Sequence, residues 1–145
     1  SSPMEGNGDS PEEPWHWEGN VQARLVAWLV SEGYAIRSVA DTASHEHGPD
    51  IAAVGADGAT LLISVKGYPH RTDRAQLPTM ARHYFSDAVF DVLLHRDNSP
   101  DAHLGVAFPD FRTTYRALAG RMKWVRDNLP LRVYWVTELG EVAVE

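Results

Sequence analysis

The sequence predicts an α/β fold, a mixed sheet flanked by helices, and three observations carry that prediction. Hydrophobic spacing alternates between helical and strand-like stretches along the chain. Two apolar runs, residues 50–54 and 60–65, are joined by Ala56-Asp57-Gly58 in the manner of a hairpin. After them come a helix, a buried-looking strand, a second helix and another strand, the order of a parallel crossover. The expected order is therefore α-β-β-β-α-β-α-β in one domain covering residues 15–145. A chain of 145 residues with 43% hydrophobic content has room for one such core but not for two.

Residues 15–33 place Val21, Leu25, Trp28 and Leu29 at helical spacing, and Gly33 supplies a stop. Residues 34–40 read as a strand, followed by a polar loop over 41–48. The two hairpin runs lead into a polar connection, 67–72, interrupted by Pro69. A longer helix is expected over 73–96, with Tyr84, Ala88, Val89 and Leu93 facing inward, stopped by Asn98-Ser99-Pro100. Residues 103–108 make a strand, and Pro109-Asp110 signals a helix over 111–128. Residues 131–137 form the next strand, and 142–144 a short edge piece. Residues 1–14, rich in Gly, Pro and Ser, read as a disordered acidic tail.

Composition excludes some chemistry. The chain has no cysteine, so disulfides and thiolate metal sites are ruled out. No apolar run reaches the ~18 residues of a membrane span, and the start lacks the order of a signal peptide; a soluble, cytoplasmic protein with no membrane partner is expected. The net charge of -7 runs against a nucleic-acid partner, but Glu5, Asp9, Glu12 and Glu13 concentrate acid in the lead-in, and setting it aside leaves about -3. Arg112, Arg116, Arg121, Lys123 and Arg126 follow one another without an acid between them. Lys66, Arg71, Arg74 and Arg82 form a second cluster, broken only by Asp73. On charge alone, solvated helix faces are the simpler explanation of both, so charge permits DNA without pointing to it.

Asp50, behind Pro49, opens one strand of the hairpin, and Lys66 ends the other in Leu62-Ile63-Ser64-Val65-Lys66. Glu18 lies near the edge of the first helix's apolar face. A charge at the end of an apolar strand needs a partner or solvent. A carboxylate that holds Mg²⁺, with a lysine beside it to steady an attacking water and the charge growing on phosphate, suits phosphodiester hydrolysis. Register decides whether they can meet. A three-residue loop, 56–58, sets Asp50 opposite Ser64, on the face shared by Ser64 and Lys66. A two-residue Asp57-Gly58 turn sets it opposite Val65, on the wrong face unless a bulge intervenes.

Glu18 in a first helix, Pro49-Asp50 on one strand and Ser64-Val65-Lys66 on the next resemble the PD-(D/E)XK superfamily, the restriction-endonuclease-like fold. The resemblance covers nearly all of the chain after the lead-in. It implies a Mg²⁺-dependent nuclease (Mn²⁺ substituting) acting on DNA, with Asp50 as central metal ligand, Lys66 as catalytic lysine and Glu18 as the helix-borne acid. A backbone carbonyl near Val65 would complete the metal set. The family usually has Asp or Glu where this chain has Ser64. Members with serine there recruit an acid from the following helix, for which Asp73 and Gln76 are the nearest candidates; without one, the chain would be an inactive relative serving as a binding or interaction module. His70, Arg71, Arg74 and Arg82 are the expected phosphate contacts, and a homodimer would suit a small nuclease that cuts both strands.

Simpler roles stand beside these. On these readings Glu18 serves only the helix dipole, Asp50 only the strand entry, and Lys66 only the strand end. His45-Glu46-His47 reads as a solvated loop, with a supporting role near Asp50 as the alternative. Trp15, Trp17 and Trp28 are explained more simply by core packing or a dimer contact than by base stacking. A structural partner subunit that dimerises through its tryptophans is the remaining reading.

Overall fold

A computed structural model describes residues 10–41 and 48–145. Helix α1 (Glu18–Ser31) ends as Gly33 predicts: Gly33 adopts φ +94°, its N–H reaches the Val30 carbonyl, and Tyr34 N–H returns to Leu29 O. Strands β1 (Ala35–Val39), β2 (Ile51–Val54) and β3 (Thr60–Val65) follow as an antiparallel meander. Then come α2 (Leu77–Leu93), β4 (His103–Pro109), α3 (Thr114–Gly120), α4 (Lys123–Asn128), β5 (Leu131–Val136) and β6 (Val142–Val144). The six strands lie side by side in chain order. β3–β4 and β4–β5 are parallel, and the outer pairs are antiparallel.

Strand alternation divides the core into two layers. Ile51, Leu61, Ile63, Val65, Ala107 and Val136 pack against Val21, Leu25 and Leu29 of α1. Leu62, Leu104, Val106, Phe108, Val133 and Trp135 face the other way, onto α2 and α3 through Ala81, Phe85, Ala88, Val92, Tyr115 and Ala119. The sheet is thus covered on both faces, as parallel strands require. Among the described residues, no helix is long and apolar enough to cross a membrane.

The expectations for the two long helices are corrected. The helix expected over 73–96 is a 3₁₀ turn (Arg74–Gln76), α2, and a second 3₁₀ turn (Leu94–Arg96), with Pro78 in the first turn of α2, where a missing N–H costs nothing. Its buried stripe is Ala81–Phe85–Ala88–Val92, which leaves Tyr84 at the border of the apolar face and Val89 and Leu93 partly buried. The helix expected over 111–128 is two short ones. Gly120, a poor helix former, is followed by i→i+3 bonds from Arg121 to Leu118 and from Met122 to Ala119 that tighten and end the turn. Upstream, Arg112 at φ 61° delays the start to Thr114. Within the acidic lead-in, Asn20 of α1, almost fully buried, holds the stretch before the helix: it accepts from Ser10 N–H at 2.6 Å and donates to Ser10 O and Pro14 O at 3.2 and 2.9 Å.

Candidate active site

The β2–β3 hairpin turns through the three-residue loop. Gly55 N–H reaches Ala59 O, Gly58 N–H reaches Gly55 O, and Gly58 takes φ +83°, which a side chain would resist. Val54 then pairs with Thr60 and Ile51 with Ile63, so the next position along sets Asp50 opposite Ser64. This is the register that puts Asp50, Ser64 and Lys66 on one face. Pro49 has no N–H, and the ladder stops there. The Asp50 carboxylate takes up the orphaned edge instead, its Oδ2 accepting the Val65 N–H at 2.6 Å. Ser64 is buried, and the Lys66 N–H continues the bonding to β4 through Ala107 O at 3.0 Å.

Beyond Lys66 the chain passes hard against the start of α1. Tyr68 N–H bonds His16 O at 2.9 Å. A Cβ at Gly67 would stand 2.3 Å from Glu18 N and 2.6 Å from His16 O, both backbone, so only glycine permits this approach. Tyr115 of α3 donates its hydroxyl to Gly67 O at 2.6 Å and holds the segment from the other side. The outcome is a cleft of ≈ 470 Å³ at the carboxyl end of β3, bounded by Trp17, Glu18, Lys66, His70, Met80 and Tyr84, among others. Lys66 Nζ lies over the Tyr84 ring, 6.0 Å from its centre. The one-position rotation of α2's buried stripe is what sets Tyr84 there.

Burial raises the Glu18 carboxyl to about 7; nearby Asp50 adds to the rise, and Lys66 opposes it. Asp50 is raised too, again mainly by burial, while the Val65 N–H and Lys66 pull it down. Two carboxylates that resist ionisation thus share one lysine. Asp50 does not line the cleft itself but sits behind it on the β3 edge.

The two candidate ligands expected from the following helix, the acid Asp73 and the amide Gln76, are exposed and do not line the cleft. The α2 side chains felt by Asp50 are Asp91, which raises its pKa, and His95 just past the helix end, which lowers it. Sequence reasoning missed both. Their spacing of seven and eleven from Tyr84 places all three along one helical stripe, and that periodicity was the available signal.

His70 and Arg71 stand at the cleft mouth, Arg74 lines a separate groove with Leu77, Pro78 and Arg112, and Arg82 is exposed on α2. The second basic stretch is largely tied up internally: Arg116 with Asp110 and Glu145, Lys123 with Asp127, Arg126 with Glu145. Trp15 meets Phe111 edge-on and Trp28 meets Tyr134, at 6.0 and 6.2 Å between ring centres, whereas Trp17 borders the cleft. His45, Glu46 and His47 lie outside the described residues. Among the described residues, no group of three or more His, Asp or Glu side chains is arranged to hold a metal ion. Neither known family models nor curated proteins match the chain.

Proposed function

We propose that the protein is a metal-dependent nuclease of the restriction-endonuclease-like kind, hydrolysing phosphodiester bonds of DNA. The observation that carries this reading is the hairpin register, which aligns Asp50 with Ser64 and Lys66 beside the helix-borne Glu18. Two neighbouring carboxyls would suit Mg²⁺. That ion takes one or two carboxylates and keeps several waters, so a site without a third acidic side chain is still adequate. Once ionised, the two buried carboxylates outnumber the one lysine that both feel, an excess that a divalent cation would relieve. Glu18, Asp50 and the Val65 carbonyl would hold the ion.

Bound there, Mg²⁺ would polarise the phosphoryl oxygen and acidify a water. Lys66, aimed into the cleft, offsets charge building on the phosphate and orients the water through its N–H donors. Glu18 must lose its proton to act as a ligand, so metal binding strengthens as the pH rises past about 7.

Calorimetric titration of Mn²⁺ and Mg²⁺ into the wild type and Asp50→Asn tests the reading. Asparagine keeps an acceptor for the Val65 N–H but removes the charge. Binding that disappears in the variant, together with Mn²⁺-dependent cleavage of DNA by the wild type, is the expected result. No binding by the wild type, even with DNA present, would leave the second reading, a silent nuclease-fold module for nucleic-acid or protein binding. One observation favours that alternative: the buried hydroxyl of Ser64 stands where the resemblance calls for an acid.

A further inference from the structure

Glu13 reaches from the lead-in to His70 and Arg71 at the cleft mouth. Its Oε1 accepts from Arg71 Nη2 at 2.5 Å and lies 3.3 Å from His70 Nε2. The carboxylate side chain is only 13% exposed, while Arg71 is 72% exposed, so the acid is seated and the guanidinium is turned outward. The seat is built rather than incidental. Asn20 holds the backbone on both sides of Glu13, at Ser10 and Pro14, and the chain runs on through His16, stacked on Phe111 at 4.0 Å, to Trp17 on the cleft wall.

A carboxylate oxygen bridging an arginine and a histidine copies what a phosphate oxygen would do at the same place, since both present an anionic acceptor to the same donors. We infer that His70 and Arg71 form a backbone-phosphate subsite for nucleic acid, and that Glu13 is its built-in competitor. This rests on the nuclease reading and adds to it a regulation of the same cleft. The contact is suited to displacement. A surface ion pair with a largely exposed arginine is weak, so a polyanion can replace it, whereas an isolated anion gains little. The acidic lead-in therefore screens the mouth against weak anions and yields to a strand.

The test is binding of a fluorescein-labelled DNA duplex to the full chain by anisotropy, with chelator present so that no cleavage occurs. Glu13→Gln is expected to tighten binding about five-fold. It should also steepen the salt dependence by about one phosphate contact. Glu12→Gln, which removes the same charge from an exposed neighbouring position, separates net charge from competition and should change affinity far less. In an Arg71→Ala background, Glu13→Gln should lose most of its effect.

Equal gains from Glu12→Gln and Glu13→Gln, or an undiminished gain without Arg71, would overturn the inference. So would the absence of duplex binding by Glu13→Gln. Tightening toward inorganic phosphate alone, with none toward the duplex, would overturn the assignment to nucleic acid. Because the readout needs neither metal nor turnover, a failure here leaves Mn²⁺ binding and cleavage to be judged separately.

Discussion

Replacing Glu18 by Gln removes a carboxyl that burial holds at about 7 instead of its ordinary 4.5. The folded protein binds this proton more tightly than the unfolded chain does. The stability associated with the protonated form is complete below pH 4.5, declines as the pH rises from 4.5 to about 7, and is fully lost above that. At about 1.4 kcal/mol per pKa unit, the loss comes to about 3 kcal/mol. The amide of Glu18→Gln never ionises and escapes it. Urea unfolding in metal-free buffer across this range should give near-equal stabilities at the acidic end, with the variant pulling ahead by about 3 kcal/mol on the alkaline side. Asp50 is raised in the same direction and is present in both proteins, so it tilts both curves without reversing their difference. Parallel curves would refute the reasoning. A variant that is less stable at alkaline pH would mean that Lys66 more than compensates the buried charge.

Three other outcomes are expected. Gly67→Ala should cost about 3 kcal/mol in urea unfolding and also weaken Mn²⁺ binding, because its Cβ collides with backbone at Glu18 and His16 and must push the start of α1 off β3. Ser64→Asp adds the acid missing from the strand face; Mn²⁺ affinity should rise roughly tenfold by calorimetry, while the metal-free protein melts at a lower temperature. Asp50→Ala should be less stable than Asp50→Asn by about 1 kcal/mol, since alanine leaves the Val65 N–H without its acceptor at the end of β3.

Much of the sheet was legible because it depends on local chemistry. The Ala56-Asp57-Gly58 loop needs a residue at positive φ, Gly58 supplies it, and a three-residue loop then dictates which residues face each other. Lys66 could be read as exceptional because it follows six buried or half-buried strand positions. The rest depended on how elements pack. Nothing local says that α2 buries Phe85 rather than Tyr84, yet that one-position rotation decides which side chain meets Lys66 and brings Asp91 and His95, rather than Asp73 or Gln76, into the field of Asp50. The break after Gly120 had a visible cause, but a glycine inside a helical pattern is often tolerated. The pairing of Glu13 with Arg71 joins residues far apart in sequence, and a polar, proline-marked lead-in carries no pattern that announces it.

The arrangement of the sheet in chain order bears on how the protein reaches its native state. Each strand is laid beside the one made just before it, so assembly can advance like a row of planks, with no later strand needing to be threaded between two earlier ones. Such neighbour-to-neighbour growth keeps loop closures short and favours rapid folding. It also leaves one unfinished edge at each stage, and that edge is the hazard for association between chains. The finished sheet is guarded at both limits: β1 is interrupted between Ile36 and Ser38 by an irregularity that spoils a flat template, and β6 is only three residues long. The exposed period is therefore the interval after β3, when its free side awaits β4 across the whole of α2.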